Sequence, residues 1–435
     1  MSVQSIDLGG CRLLIESSPA LPLVHVTVAL TSGALEDPAG KEGLTRLTAR
    51  AMRRTGGGLT QQQLDTRIDS LGGSLGADVS HSTVSFNGTV IARNLDAFLD
   101  LMIDVLARPG FSEEELALLR RETEAELIEA RDNDRALARR WFSRKMFAGH
   151  PYARSVSGHL TTVPTMTAGD VRALYQRTWT RENVVLSFSG DIDAAHARAS
   201  AERLLEALGS GPRLADQVTD PTGPRGRSLV FVDKPERTQT QILIGGLGSH
   251  PRDPDHIALH VANTVLGGTF TARLMKEVRS KRGWSYGAYS SLPYDRHRQA
   301  FSLWTFPKAS DAAACIQLEL ELLAAWCEKG ITQRELAGAK RYLTRSHAFA
   351  IDTATKRVGL AFDALIYDLP PGYYEGYLDH IGEVSLERAN AAIRDRIDPE
   401  HLVVAVVGTA AEIEAEVRAS IPGLGPHEIV AHDAD

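Results

Sequence analysis

The chain has 435 residues and a formal net charge of −7, with 43% hydrophobic and 24% charged residues. Its length exceeds the roughly 100–200 residues of one ordinary domain, and its composition is typical of a globular protein. The negative charge argues against a nucleic acid as partner, and no apolar run reaches the roughly 18 residues that span a bilayer.

The spacing of apolar residues predicts the elements of the first half. Val24–Leu30 alternates and indicates a strand, and Gly43–Arg54 has helical spacing. Strands followed by runs of helices predict an α+β fold, with helices covering one face of a largely antiparallel sheet. The further predicted elements are helices at Gln62–Leu71, Leu95–Leu106 and Glu113–Arg131 and strands at Ser82–Ala92 and Val184–Ser189.

The chain repeats itself once. FSEEELALLRR begins at Phe111 and ITQRELAGAKR begins at Ile331, an offset of 220 residues. A second pair of similar segments begins at Met166 and Val384, an offset of 218 residues. Two segments with nearly the same offset predict two tandem homologous halves.

A segment rich in glycine and proline separates the two halves. It runs from Gly209 to Arg227 and has no apolar periodicity, which is typical of a linker. We therefore predict domains at 1–210 and 229–435 that are joined by a linker at 211–228.

The three cysteines, Cys11, Cys315 and Cys327, are sparse and include no CxxC pair. They are predicted to be ordinary thiols in the core or near the surface, which fits a reducing compartment. The N-terminal residues have no basic stretch followed by an apolar run, so no signal peptide is predicted. We expect a cytoplasmic location, or a periplasmic one where a leader has been removed.

The segment Gly43-Leu-Thr-Arg-Leu-Thr-Ala-Arg-Ala-Met-Arg-Arg-Thr resembles the zinc helix of the M16 (pitrilysin/insulinase-like) peptidases. In that H-x-x-E-H motif two histidines bind zinc and the glutamate is the general base. Arg46 and Arg50 stand in place of the histidines, and Ala49 stands in place of the base. A guanidinium has no lone pair to donate, so we expect no metal or cofactor in this chain.

The third zinc ligand of the family is a glutamate on a later helix, and Glu126 matches it within Glu122-Thr-Glu-Ala-Glu-Leu. Two interpretations remain open for this residue. Glu122, Glu126 and Glu129 can form a solvated helix face. Alternatively, Glu126 pairs with Arg46 or Arg50 and fills the place of the metal.

The second half contains a longer motif, LGGTFTARLMKEVRSKRGWSYGAY, from Leu266 to Tyr289. It resembles the C-terminal signature of the M16 family. The resemblance implies that Arg279 holds a substrate carbonyl and that Tyr286 helps to stabilise the oxyanion in a partner's active site. The alternative is a helix-end arginine paired with a carboxylate and a core tyrosine.

Three histidines have spacings that can suggest ligands. His150 lies in a Gly-His-Pro-Tyr turn, and His256 and His260 are four residues apart. Leu259 occupies the position of a base, and no third ligand is evident. We predict structural roles for all three histidines.

The resemblance implies a LuxS/MPP-like layout and a non-catalytic subunit of a heterodimeric M16B zinc metallopeptidase. Such a chain is inactive alone, and a homologous subunit supplies the zinc. The expected partners are that subunit and a small unfolded polypeptide, which is bound for proteolysis by a metalloendopeptidase pair. The alternative function is a non-enzymatic scaffold or peptide chaperone of the same fold.

Overall fold

The computed structural model describes residues 3–435, which form two compact units. The first unit comprises the chain up to Leu127 together with Arg154–Val218 and Ala348–Asp368. The second unit comprises Ile128–Ala153, Thr219–His347 and Leu369–Asp435. Each unit contains one six-stranded sheet.

The strands are β1 (Gln4–Asp7), β2 (Arg12–Ser17), β3 (Leu23–Leu30), β4 (Ser74–Val79), β5 (Val84–Ile91), β6 (Val184–Gly190), β7 (Arg227–Asp233), β8 (Gln241–Leu247), β9 (Ala288–Ser291), β10 (Ala300–Thr305), β11 (Val403–Gly408) and β12 (Leu424–Ala431). The helices are α1 (Leu44–Arg54), α2 (Gln61–Ser70), α3 (Leu95–Ala107), α4 (Glu113–Glu129), α5 (Asp134–Met146), α6 (Ala168–Thr178), α7 (Ala194–Ala207), α8 (His256–Leu266), α9 (Ala312–Lys329), α10 (Gln333–Ala350), α11 (Ala354–Ile366), α12 (Tyr377–Glu383), α13 (Leu386–Arg396) and α14 (Ala410–Ala419). A π-helical segment spans Met275–Lys281.

The two sheets share most of their topology, which confirms the α+β fold with two homologous halves. The first has the order β1-β2-β6-β3-β5-β4, and the second has the order β12-β7-β11-β8-β10-β9. Most neighbouring strands are antiparallel, as predicted, but β2–β6, β7–β11 and β7–β12 are parallel. The outermost strand differs between the sheets, because β1 is antiparallel to β2 whereas β12 is parallel to β7.

In the first unit, every residue of the central strand β6 is buried, so both faces of the sheet need apolar cover. One face packs on the core formed with α1, α3, α6 and α7. The other face is covered by α11, where the Thr355 hydroxyl lies 3.1 Å from the Ser189 hydroxyl. Arg357 of α11 also donates to Glu16 of β2 at 2.6 Å.

In the second unit, β11 is equally buried, and α5 packs against β7, β8 and β11. The apolar side of α5 includes Leu137, Trp141 and Phe142, which are buried. Helix α5 therefore lies in the second unit although its sequence precedes the linker, and α11 lies in the first unit although it follows the linker. The compact units therefore differ from the predicted ranges 1–210 and 229–435, because α5 and α11 each belong to the unit of the other range.

The linker prediction needs one correction. Residues 209–226 contain no helix or strand, but Arg227 and Ser228 are the first residues of β7 and are buried. The Arg227 guanidinium donates to Glu400 at 2.7 Å and to the Pro399 carbonyl at 2.9 Å. These contacts give the arginine a structural role that composition alone does not reveal.

The three cysteines are unbridged, as predicted, and of the two predicted locations all three occupy the core. Burial raises the pKa of Cys11 and of Cys327 to about 12, so both are protonated thiols at neutral pH. Among residues 3–435, no helix combines the length and the apolar character that crossing a bilayer requires.

Candidate functional site

Helix α1, which corresponds to the zinc helix of the resemblance, begins at a buried acidic cap. The Asp37 carboxylate accepts from the backbone N–H of Gly43 at 2.9 Å and of Thr45 at 2.8 Å. Gly43 has a φ of 95°, and a Cβ there would lie 2.7 Å from the Cα of Gly158. A glycine is therefore required where the chain enters α1.

Arg46 and Arg50 project from α1 towards α4 and share one carboxylate. Arg46 donates to Glu126 at 2.8 Å, and Arg50 donates to both Glu126 oxygens at 3.0 and 2.7 Å. Arg50 also donates to the Thr123 hydroxyl at 2.9 Å. The predicted pairing of Glu126 with an arginine of α1 is thus confirmed, and the carboxylate pairs with both Arg46 and Arg50.

The ion pairs continue along the two helices in a way that the sequence analysis missed. Arg54 lies one further turn along α1 and hydrogen-bonds Glu122. Its guanidinium also lies 3.8 Å from Glu115. The signal was present in the sequence, because arginines at positions 46, 50 and 54 recur at intervals of four and therefore share one face of a helix.

The residues at this position do not fit a zinc ion. Two cations occupy the ligand positions, and Ala49 is buried in the core with 1% of its surface exposed. Partial burial raises the pKa of Glu126, but the hydrogen bond from Arg46 and the charges of Arg50 and Arg46 outweigh it, so the pKa is lowered. Within residues 3–435, no group of three His, Cys, Asp or Glu side chains is arranged to hold a metal ion.

The second motif folds into a turn, a π-helical segment and strand β9. The carbonyl of Gly267 accepts from the Ser290 N–H at 3.1 Å, and a Cβ on Gly267 would lie 2.3 Å from that nitrogen. This close approach requires the glycine and places the turn against β9. Arg279 lies inside the π-helical segment Met275–Lys281, and such segments are frequent at functional sites.

The Arg279 guanidinium lies close to two exposed aromatic rings. Its central carbon is 4.4 Å from the Phe270 centroid and 4.5 Å from the Tyr286 centroid. Tyr286 is 75% exposed and Phe270 is 65% exposed. The alternative of a core tyrosine is therefore wrong. Phe270 was not singled out by the sequence analysis, because no periodicity marks an exposed phenylalanine.

Arg279 also differs from the other two arginines of its motif, Arg273 and Arg282. Arg273 makes a bidentate pair with Glu335 at 2.8 and 2.7 Å. Lys281 and Arg282 both pair with the carboxylate of Glu277. In the described part of the chain, Arg279 has no such carboxylate, and its buried Nη1 has no hydrogen-bond partner. The guanidinium is therefore held by aromatic rings with donor capacity to spare.

The edges of the two sheets differ in their backbone groups. In β9, Ser290 donates to Gly267, and the Ala288 N–H contacts the Met275 sulfur at 3.2 Å, so this edge is covered. At the end of the β4–β5 pair, the Ser80 N–H donates to the Thr83 carbonyl. Backbone groups of successive residues point alternately towards and away from the neighbouring antiparallel strand. Those of residues 75, 77 and 79 therefore point away from β5.

Few of the backbone groups on the exposed edge of β4 form hydrogen bonds. The Leu75 carbonyl accepts from Arg53 of α1 at 2.9 Å. Within residues 3–435, the backbone N–H and C=O groups of Ala77 and Val79 on this edge have no hydrogen-bond partner. Strand β4 therefore presents an open edge next to α1, where an extended chain can pair.

The three histidines have structural contacts, as predicted. The His150 ring lies 2.8 Å from the Thr219 carbonyl, the His256 ring lies 2.8 Å from the Ser249 hydroxyl, and the His260 ring lies 3.1 Å from the Tyr377 hydroxyl. Burial lowers the pKa of His256 to about 3 and that of His260 to about 4, so both rings are neutral.

Two family models match successive stretches of the chain, and the boundary between them lies within the first half. Residues 12–159 match the family model of insulinase (peptidase family M16), and residues 165–343 match the model of the peptidase M16 inactive domain. A zinc protease of Mycobacterium leprae is 27% identical over 395 residues, which are 88% of this chain and 86% of that relative. The non-peptidase homolog YmxG of Helicobacter pylori is 20% identical and is matched over 93% of both chains.

Solved structures give the same assignment. The peptidase M16 inactive domain from Pseudomonas fluorescens superposes with a TM-score of 0.87 and 26% identity, over 94% of this chain and 98% of that chain. A protease from Helicobacter pylori superposes with a TM-score of 0.85 at 17% identity, over 93% of this chain and 99% of that chain, and so supports the fold alone. With two models of one family matched in succession along most of its length, this chain belongs to peptidase family M16.

Proposed function

We propose that this chain is the non-catalytic subunit of a heterodimeric M16B zinc metallopeptidase. A homologous subunit with an intact H-x-x-E-H helix would supply the zinc and the hydrolytic water. The observation that carries the proposal is Arg279, an arginine without a carboxylate partner between two exposed aromatic rings. A subunit that acted only as a scaffold would not need an arginine without a carboxylate partner beside exposed aromatic rings.

The chemistry of amide hydrolysis explains why this arrangement suits the role. Attack on a peptide carbonyl develops negative charge on its oxygen, and a fixed donor aimed at that oxygen contributes about 2.7–4 kcal/mol. Tyr286 is 75% exposed and lies against the Arg279 guanidinium, so the two side chains would together face such an oxygen. The rings of Phe270 and Tyr286 restrict the guanidinium, so less side-chain entropy is lost when substrate binds.

The open edge of β4 supports binding of an unfolded polypeptide. An extended segment can pair with the edge at Ala77 and Val79 through main-chain hydrogen bonds, which require no particular sequence. Exposed glycine and aspartate at positions 76 and 78 leave room above this edge. This mode favours small unfolded substrates, because a folded protein does not offer a free extended segment.

The second candidate is a peptide chaperone of the same fold, which the open β4 edge also supports. The two candidates differ in what happens to the bound peptide. A chaperone would release it intact, whereas the peptidase pair would cleave it. The unpaired Arg279 favours the peptidase pair.

The direct test is reconstitution with the zinc-bearing M16 subunit of the same organism and an unfolded polypeptide. Each chain alone is expected to give little or no cleavage, and the mixture is expected to cleave. A zinc chelator should abolish that cleavage, and zinc should restore it. Intact peptide in the mixture, with the two chains shown to associate by light scattering, would favour the chaperone.

A further inference from the structure

Strands β9 and β10 carry an aromatic surface that lies outside the Arg279 site. Tyr289 pairs with Trp304 across the two strands, and their rings stack with centroids 5.8 Å apart. The Phe306 ring follows at 4.9 Å from Trp304. We name these three side chains the aromatic platform. Ala288 and Ser290 of β9 are buried, so the platform occupies the opposite, solvent-accessible face of the strand.

Two arginines of helix α5 belong to this surface. The guanidinium carbon of Arg135 lies 3.5 Å from the centroid of the Trp304 ring. Arg139 follows one helical turn later, and both arginines are exposed. Desolvation lowers the pKa of Arg135, and the charge of Arg139 lowers it further. In the part of the chain that the structure describes, neither side chain has a carboxylate partner.

This arrangement has the chemistry of a carboxylate site. Two guanidiniums one turn apart repel each other, and an anion placed between them relieves that repulsion. Stacking on Trp304 fixes the plane of Arg135 and leaves its N–H groups available at the edge of the platform. The exposed part of Tyr289 offers apolar surface for the neighbouring residues of the same ligand.

The location relates this surface to the proposed substrate path. Tyr286 precedes Tyr289 by three residues, which is about 10 Å of extended chain. Phe306 lies close to that connection, since a Cβ on Gly287 would be 3.1 Å from its ring. An extended polypeptide held at Arg279 can therefore reach the aromatic platform a few residues away.

We infer that the aromatic platform, with Arg135 and Arg139, binds an acidic side chain of the extended polypeptide, so that this chain selects acidic substrates. The inference rests on the proposed function, which supplies the bound polypeptide, and it adds the class of substrate. The platform contacts the apolar part of the segment, and the two guanidiniums contact its carboxylates.

The test is binding to this chain alone, without the zinc-bearing subunit. Fluorescence anisotropy would compare three labelled unstructured peptides that differ only in three central residues, which are glutamate, glutamine or lysine. The glutamate peptide is expected to bind about tenfold more tightly than the glutamine peptide at about 50 mM salt, and this advantage should shrink at about 500 mM. Equal affinities for the glutamate and glutamine peptides would overturn the inference.

A double variant separates the site from general charge effects. Arg135→Gln with Arg139→Gln is expected to remove the preference for glutamate. The matched control is Arg334→Gln with Arg341→Gln, which removes two exposed arginines from α10 in the same unit. The control should keep the preference. Loss of the preference in both double variants, or in neither, would contradict the assigned site.

Kinetics of the reconstituted pair distinguish this inference from the proposed function. The Arg135→Gln, Arg139→Gln variant should raise KM for an acidic peptide about tenfold and leave kcat unchanged, because binding there is the same in ground and transition states. Absence of any cleavage would refute the proposed function alone, since the peptide preference is measured without catalysis. Cleavage with the same KM in the double variant would refute only the acidic preference.

Discussion

Removing the Glu126 carboxylate tests the ion-pair cluster between α1 and α4. The substitution Glu126→Ala deletes the contacts to Arg46 at 2.8 Å and to Arg50 at 2.7 and 3.0 Å. It leaves two like charges one helical turn apart on α1. The helix itself should remain, because Ala49 and Met52 hold its other face in the core.

The size of the effect follows from exposure. The side chains of Arg46 and Arg50 are 29% and 23% exposed, but that of Glu126 is 42% exposed, so solvent screens both pairs. Exposed pairs contribute about 0.2–1 kcal/mol each, and the unrelieved repulsion adds about 0.2–0.5 kcal/mol. We expect a loss of about 1–2 kcal/mol, or about 2–8 °C in melting temperature for a unit of this size.

Calorimetry at low and high salt measures this loss, with Glu124→Ala as the matched control. Glu124 lies on the same helix and has no ion pair within residues 3–435, so its removal should change stability by less than about 0.5 kcal/mol. The difference between the two variants should narrow at about 1 M salt. The difference in stability should also narrow as pH falls through the lowered pKa of Glu126, because only the ionised carboxylate forms the ion pairs. Equal melting temperatures for the two variants at low salt would refute the cluster.

Two further predictions concern other charged positions. Restoring the ligands with Arg46→His and Arg50→His beside Glu126 should create a three-ligand zinc site, so that zinc at about 100 times Kd raises stability by about 2.7 kcal/mol in this variant and not in one that also carries Glu126→Gln. The carboxyl of Glu319 is fully buried, and burial raises its pKa to about 8 although a hydrogen bond from Thr305 opposes the shift. The folded state then keeps a proton that the unfolded state loses, so stability should fall by about 1.4 kcal/mol per pH unit between the unfolded pKa of about 4.5 and pH 8. Urea midpoints at pH 5, 6.5 and 8 should show this slope in the parent chain and a flatter one in Glu319→Gln, and parallel curves would contradict the assignment.

The sequence predicted elements where residue spacing carries the information. Leu44, Leu47 and Ala51 mark one face of α1, and all three are buried. The pairing of Glu126 with α1 is also predictable from the sequence, because the resemblance assigns Arg46, Arg50 and Glu126 to one site. The spacing of Arg46, Arg50 and Arg54 also indicates that the ion pairs continue to Arg54.

Other features depend on partners that the sequence does not identify. Strand β4 contains Gly76 and Asp78, which have low strand propensity, and it is formed by pairing with β5. The placement of α5 and α11 follows from the burial of both faces of β6 and β11, which no local pattern assigns to a particular helix. The π-helical form of Met275–Lys281 is not predictable from the spacing of apolar residues, because the segment has only seven residues.

The central claim is that Arg279 and Tyr286 act in the active site of a zinc-bearing partner. Single-turnover cleavage by the reconstituted pair tests it, with Arg279→Ala and Tyr286→Phe in this chain and Arg334→Gln as the control. The account predicts a rate lower by about 10²–10³ for Arg279→Ala, a smaller loss for Tyr286→Phe, and no change for the control. Cleavage at the parent rate by the Arg279→Ala pair, with assembly intact, would contradict the account.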